Sequence, residues 1–535
     1  MSDTVFQARI VTMDEASPEA EALGVRDGRV VAIGSVASVR AALPEAPVTR
    51  IDGCVLPGFV EAHGHPTTSA VLLSEHFVDI RPVTLPSADE VLAAVRQAVA
   101  ERPDGAYLNG WDPLLQVGLP APTLDWLDSV APATPLAILH NSGHSIYFNS
   151  AAAAAAGVDR DTPDPTGAHY GRTASGELDG SGYETAVIFT IAGPGLAAAR
   201  TTYAENLAAE LGRLNAAGIT TVAEMAWDPS LAPVLDQTRA AGGLTARLRL
   251  YEMSTPAMHS DQSPADGDDL VRQVGIKTWA DGSPWIGNID TSFAYLDTAA
   301  TRALGLPPGH HGASNYTRAQ LDAISRAYFD QGWQLSCHAH GDRAIEMVLD
   351  CWEQLLEAHP RADHRLRLEH VGAMRPDQFD RAAALGITCS LFVDHLYYWG
   401  DVLADNLLGA EHAATWADAG AAAASGMRFS FHNDGTVTPP EPLRNLTVAM
   451  TRRSRSGRVH GADHGVTIDR ALRAQTIDAA FQLFAEADIG SLEVGKLADL
   501  VVLSDDPRKV PPGAVADLRV LATYLSGAQV YAAPV

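Results

Sequence analysis

The sequence predicts an α/β protein: a (β/α)8 TIM barrel, a small β-sandwich domain built from both chain termini, and an inserted subdomain over the barrel mouth. A repeated unit predicts the barrel, because helical patterns run through Gly218, Gly386 and Gly426 into apolar strand patterns. Glycine after a helix, followed by β-branched or aromatic residues, is typical of αβ connections. Alternating helices and strands imply a parallel sheet, and eight strands imply a barrel. The eight candidate strands are CVLPGFVEAH, TTVAEM, RLRLYEM, GIKTWADG, WQLSCHAHG, RLRLEHV, ITCSLFV and MRFSFHND.

The spacing of these strands supports the barrel and locates an insertion. His338 and His370 are 32 positions apart, which is one βα unit, and His370 and Asp434 are 64 apart, which is two. From His63 to the strand TTVAEM is about 160 positions, far more than one unit needs. We therefore expect an inserted subdomain, rich in Pro, Gly and Trp, over residues 75–190, with the barrel formed by 58–74 and 191–489.

The two chain ends resemble each other. Residues 24–34 predict a hairpin with an Asp-Gly turn, and residues 522–534 predict a hairpin with a Ser-Gly turn. Residues 495–507 add a further strand. Neither end alone can bury a stable core, so we expect residues 1–57 and 490–535 to form one small composite β domain.

Composition excludes several classes of function. The chain has 535 residues and a formal net charge of −27, so a nucleic-acid partner is not expected. There is no polybasic segment for an anionic membrane and no apolar run of ~18 residues for a span. The N-terminal residues lack the pattern of a signal peptide, and the four cysteines form no CxxC pair. These features predict a cytoplasmic protein with reduced cysteines and no membrane partner.

The stretch PGFVEAHGHP contains the first residues that indicate a chemical function. Its histidines, His63 and His65, are two positions apart, so in a strand both imidazoles point to the same face. Two neutral imidazoles that converge suit a divalent metal. The alternative is a pair of loop histidines that occurs by chance.

Other ionisable residues follow the same pattern. Catalytic residues of such barrels lie at the C-terminal ends of the strands. Taken singly, Lys277 could pair with Asp281, and a lone strand-end histidine is commonly a core residue. Together, at barrel spacing, they predict a metal centre. The strand-end set is His63, His65, Lys277, His338, His340, His370, His432 and Asp434.

Several motifs resemble the successive signatures of the amidohydrolase superfamily. They are PGFVEAHGHP, IKTWADGS, CHAHGDRA, RLEHVG and NDGTVTPPEPL. NSGHSIYFNSAA and TPDPTGAHYGRTASGELDG resemble the inserted region of its YtcJ-like branch, amidohydrolase family 3, which includes N-substituted formamide deformylases. The resemblance covers nearly the whole chain.

The resemblance implies a role for each residue. His63 and His65 would bind the buried metal, and His338 and His370 the second metal. Lys277, carboxylated by CO₂, would bridge the two ions. Asp434 would be both a metal ligand and the catalytic base.

Four further residues are expected near the substrate. Trp111 and His144, in the insertion, would face the pocket by resemblance. His340 and His432 are positions where the chain departs from its branch, which commonly has GSD where this chain has HND.

The function expected is a metal-dependent hydrolase of carbon–nitrogen bonds other than peptide bonds. The metal, Zn²⁺ as one or two ions, would supply an activated hydroxide to a small linear or N-substituted amide. A cyclic amidohydrolase or a deaminase on the same scaffold is the alternative among enzymes, and a non-catalytic metal-binding protein is the alternative outside them. The sequence leaves open whether the chain forms a homodimer.

Overall fold

A computed structural model describes residues 3–165 and 167–534. Its strands fall into three sheets. The strands are β1 Thr4–Val11, β2 Glu19–Arg26, β3 Arg29–Gly34, β4 Val48–Pro57, β5 Phe59–Gly64, β6 Val78–Asp79, β7 Ala106–Trp111, β8 Leu136–His140, β9 Ser145–Phe148, β10 His169–Arg172, β11 Leu178–Tyr183, β12 Ile219–Trp227, β13 Arg247–Met253, β14 Val271–Trp279, β15 Gln334–Ala339, β16 Arg367–His370, β17 Thr388–Leu391, β18 Phe429–Phe431, β19 Leu500–Leu503, β20 Val520–Leu525 and β21 Ala528–Ala532.

The helices pack around and between these sheets. Some of them start with a capping box, such as those formed by Ser87 with Glu90 and by Thr317 with Gln320. The helices are α1 Val36–Ala42, α2 Pro66–Leu72, α3 Ala88–Glu101, α4 Leu124–Val130, α5 Ser150–Ala155, α6 Thr185–Ala199, α7 Tyr203–Ala216, α8 Ala232–Ala240, α9 Ala299–Ala303, α10 Arg318–Asp330, α11 Asp342–Ala358, α12 Pro376–Ala384, α13 Asp394–Val402, α14 Ala410–Ala414, α15 Ala419–Ala424, α16 Pro442–Thr451, α17 Ile468–Ala474 and α18 Ile477–Gln482.

The central sheet is the predicted barrel. Its eight strands follow the order β5, β12, β13, β14, β15, β16, β17 and β18, and every pair in it is parallel. The glycines of the repeated unit, Gly218, Gly386 and Gly426, all have positive φ, the left-handed conformation that ends a helix. The predicted fold class is confirmed.

The register of the barrel strands sets the level of the candidate site. Trp279 pairs with His338, and Ala339 pairs with His370. Because parallel neighbours keep their ends at one edge, the last residues of β14, β15 and β16 meet at the C-terminal rim.

The terminal strands pair with one another. Strands β1 to β4 and β19 to β21 form one seven-stranded sheet, in which β19 pairs antiparallel with β4. The chain passes directly from β4, ending at Pro57, through Gly58 into barrel strand β5. This connection fixes the small β unit beside the start of the strand that carries His63.

A third sheet of six strands, β6 to β11, is formed by the inserted segment. Helix α6 follows it and packs on Tyr107, at a point where a side chain on Gly195 would lie within 2.7 Å of the Tyr107 ring. Glycine is therefore required there. The domain boundaries predicted from the sequence stay a proposal. Helix α6 spans the predicted boundary at residue 190.

Two further findings concern membrane-spanning helices and the cysteines. In residues 3–165 and 167–534, none of the helices combines the length and the apolar character that crossing a bilayer requires. The cysteines Cys54, Cys337, Cys351 and Cys389 are buried and free.

Candidate metal centre

The six predicted ligands line one cavity at the C-terminal rim of the barrel. The cavity has a volume of about 1070 Å³, including its mouth, and lies between the rim and the inserted segment. The ligands on its floor are His63, His65, Lys277, His338, His370 and Asp434. The structure therefore brings together residues from five strand ends that are up to 371 positions apart in the chain.

Asp434 lies at the meeting point of the first two histidines. Its Oδ1 is 3.4 Å from Nε2 of His63 and 3.2 Å from Nε2 of His65. The same oxygen is buried and has no hydrogen-bond partner among the described residues. Burial would raise the pKa of Asp434, but the two imidazoles hold it well below its usual range. An ionised oxygen that faces two ring nitrogens is the arrangement expected around a shared cation.

The Nδ1 atoms of these two histidines, on the side of each ring away from Asp434, face carboxylates. His63 Nδ1 is 2.6 Å from Oε2 of Glu369, and His65 Nδ1 is 3.4 Å from Oε1 of Glu224. A carboxylate at Nδ1 keeps the proton on that atom and leaves the Nε2 lone pair for a metal. Both histidines thus present the correct nitrogen to Asp434.

Glu369 belongs to a buried network. Its carboxylate accepts from the Arg367 guanidinium through Nε at 2.6 Å and Nη2 at 3.0 Å, and from the Ser336 hydroxyl at 2.7 Å. Burial alone would raise the pKa of Glu369, but Arg367 and His63 bring it well below its usual range. This residue was not among the predicted site residues; the sequence signal was only its place beside His370.

Lys277 is buried beside His63, with Nζ 3.4 Å from Nε2 of that histidine. Burial lowers the pKa of Lys277 to about 8, against the opposing charges of Glu369 and Asp434. Asp281, the alternative partner, accepts instead from the backbone N–H groups of His340 and Gly341. Burial therefore raises the neutral fraction of this amine above that of a free lysine, and the neutral form is the one that reacts with CO₂.

His338 and His370 lie next to each other, with ring centroids 4.5 Å apart. Nε2 of His338 donates to the Gly282 carbonyl at 2.9 Å, which leaves Nδ1 as the atom with the lone pair. Burial, reinforced by the neighbouring imidazoles, lowers the pKa of both histidines well below the usual value. They are neutral at pH 7, the form that binds metal.

His340 and His432 lie behind this floor and do not line the cavity. The ring of His340 stacks on His370 at 4.7 Å, and its Nδ1 has no hydrogen-bond partner in the described part of the chain. Nε2 of His432 is 3.0 Å from Nδ1 of His370, and Nδ1 of His432 is 2.8 Å from the Ser390 hydroxyl. Their position fits the support of His370 better than contact with substrate.

His144 and Trp111, the two residues of the insertion that were predicted to face the pocket, lie in different environments. His144 lines the cavity, 5.1 Å from the His338 ring, and its Nδ1 is 3.0 Å from Oε2 of Glu184. Trp111 is fully buried in the core of the inserted sheet, packs against Trp126, and does not line the cavity. Trp111 therefore lacks the expected contact with the pocket, because its strand turns the indole toward the core of the insertion.

The backbone is left-handed at two of the predicted ligands. His370 has φ of 69° and Asp434 has φ of 53°, and Val371 continues the left-handed conformation at 46°. Such residues cost of the order of 1–3 kcal/mol each and occur mainly where function requires them. Both His370 and Asp434 line the cavity at the rim.

The donor set fits a divalent cation. Neutral imidazoles and a carboxylate suit zinc and related ions. The ligand atoms of three groups lie within 4.8 Å of one another: His63, His65 and Asp434; His338, His340 and His370; and His63, His370 and His432. The groups share His63 and His370, so they form one continuous centre.

Known proteins are similar to this chain in sequence and in fold. The chain is 29% identical to the N-substituted formamide deformylase of Arthrobacter pascens, over 98% of this chain and 97% of that protein. It is 27% identical to the protein LONG AFTER FAR-RED 3 of Arabidopsis thaliana, over 98% and 91%. Its fold matches an uncharacterized metal-dependent hydrolase of Pyrococcus horikoshii OT3, with a TM-score of 0.72 and 20% identity over 96% of this chain and 99% of that one. The profile of the amidohydrolase family matches residues 52–531, and the chain therefore belongs to the amidohydrolase family.

Proposed function

We propose that this protein hydrolyses the C–N bond of a linear or N-substituted amide with a divalent metal, zinc as one or two ions, held by His63, His65, Lys277, His338, His370 and Asp434. The observation that carries the proposal is the Asp434 carboxylate, whose buried Oδ1 faces the Nε2 atoms of His63 and His65 at the floor of the cavity. The similarity to a formamide deformylase supports the amide as the substrate class.

The metal ion and the side chains of the protein would contribute different parts of the reaction. A divalent ion in such a centre polarises the substrate carbonyl and lowers the pKa of water. Asp434, ionised and facing the cavity, accepts the proton of the attacking water and returns it to the leaving nitrogen. His63 and His65 are held by Glu369 and Glu224, so that their Nε2 atoms stay in place without reorganisation.

Lys277 favours this reaction over a deamination. A deaminase on this scaffold more often holds one metal and needs no carboxylated lysine, whereas Lys277 lines the cavity with its pKa lowered by burial. A carbamate on its Nζ would add an anion to the centre and bridge two ions.

The location of the protein in the cytoplasm stays a prediction.

The test is a substrate panel on purified protein of measured metal content. We expect the zinc-loaded protein to hydrolyse N-formyl or N-acyl amines faster than cyclic amides or aminopurines, and Asp434→Asn to lose that turnover. The matched control is Asp463→Asn, an exposed carboxylate outside the cavity. Turnover of an aminopurine alone would replace the proposal with a deaminase. A zinc-loaded protein without activity on any class would favour a non-catalytic role.

A further inference from the structure

We infer that the substrate is a neutral amide whose substituent is a bulky alkyl or aryl group, and that the cavity discriminates against amides that carry a carboxylate. The inference rests on the proposed function and specifies its substrate class. It comes from the walls of the cavity rather than from the metal centre.

The walls above the floor are apolar and come from the inserted segment and α6. Three side chains of the inserted sheet, Leu108, Leu139 and Ile146, face three of α6, Ile188, Phe189 and Leu196. These apolar walls are suited to contact with a ring or a long alkyl chain above the metal floor. Burial of such a group contributes ~25 cal/mol per Å² of apolar surface removed from water.

The charges around the cavity also favour a neutral substrate. Among the described residues that line the cavity there is no arginine, and Lys277 lies on the floor beside Asp434. His144 is already paired with Glu184. The walls therefore offer no free cation to a substrate carboxylate.

An arginine that contacts the wall, Arg81, is also paired. Arg81 donates to the Thr436 carbonyl, and its guanidinium forms two bonds of 2.8 Å with the Asp79 carboxylate. An unpaired carboxylate placed among apolar side chains would lose its hydration without compensation. The net charge of −27 adds long-range repulsion of anions.

The first experiment compares two amides that differ only in a carboxylate. The zinc-loaded protein is assayed with N-acetylphenethylamine and with both enantiomers of N-acetylphenylalanine. We expect kcat/KM for the neutral amide to exceed that for either acid by at least ~100-fold, because the acid must bury an unpaired charge. An equal or higher kcat/KM for an acid would overturn the inference and leave the amidohydrolase function standing.

The second experiment measures binding without hydrolysis. The ketone 5-phenylpentan-2-one replaces the amide nitrogen by carbon, so calorimetric titration reports the affinity of the cavity alone. Phe189 is 41% exposed, so Phe189→Arg can fold while it places a cation on the wall. We expect this variant to bind the ketone ~10-fold more weakly and to narrow the ratio of kcat/KM between the two amides, at unchanged metal content.

Val117→Arg is the matched control, since Val117 is 80% exposed and does not line the cavity. It should keep the affinity and the ratio of the unmodified protein. Equal ketone affinity in Phe189→Arg and Val117→Arg would overturn the apolar site. Ketone binding that depends on Phe189, with no hydrolysis of any amide, would overturn the proposed function and support the apolar character of the cavity.

Discussion

Glu369→Gln is the substitution that tests the site most directly. Oε1 of Glu369 accepts from Arg367 Nε and Ser336 Oγ, and Oε2 accepts from Arg367 Nη2 and His63 Nδ1. A glutamine has one acceptor oxygen. If that oxygen keeps the Oε1 contacts, the new NH₂ group faces two N–H donors, those of Arg367 and His63.

His63 can relieve this conflict by moving its proton. With the proton on Nε2, Nδ1 accepts from the glutamine, but the nitrogen that faces Asp434 loses its lone pair. Loss of such an outer partner typically weakens metal binding by ~10–100-fold. Arg367, fully buried, also loses its ionic partner, and removing one member of a buried pair costs about 3–5 kcal/mol of folding stability.

The assay separates these two effects. The metal dissociation constant is measured by chelator competition, and stability by denaturant unfolding in chelator and in excess zinc. Glu486→Gln is the control, because it removes a carboxylate that is paired with Arg365 at 2.7 Å and does not line the cavity. It should lower stability and leave the metal dissociation constant unchanged. If Glu369→Gln binds zinc as tightly as the unmodified protein, Glu369 does not set the tautomer of His63.

Three further predictions follow from other contacts. Asp434→Asn should keep much of the metal but lose ~10²–10⁴-fold in kcat, measured with metal content on the same sample, because an amide cannot accept the water proton; near-normal kcat would remove Asp434 as the base. Lys277→Ala should lower both metal content and kcat, and full metal occupancy by elemental analysis would contradict a bridging role. Burial raises the pKa of Asp394 to about 7. This carboxyl stays protonated in the folded state while the unfolded chain ionises, so its contribution to stability falls as pH rises from about 4 to about 7. At ~1.4 kcal/mol per pH unit, Asp394→Asn should gain up to ~4 kcal/mol relative to the unmodified protein over that range in denaturant unfolding; a difference that does not vary with pH would show that Asp394 is ionised throughout.

The sequence by itself determined the barrel and predicted which residues lie at its rim, because both depend on local periodicity; the ligand roles came from the family resemblance and stay a prediction. A βα unit has a nearly constant length, so the spacing of His338, His370 and Asp434 predicts that their strand ends share one rim. The alternation of a strand likewise predicts that His63 and His65 face one side.

Only the tertiary structure decided which groups support the centre and what surrounds it. Glu369 reaches His63 across 306 positions, and nothing local to either residue encodes that contact. The same limit applies to Trp111, whose strand carries it into the core of the insertion, and to His432, which supports His370 from behind the cavity floor. The apolar walls arise where α6 and the inserted sheet close over the rim. Packing between segments distant in the chain decides such features, because a strand pattern fixes the spacing of side chains along the chain but not the partner each one meets.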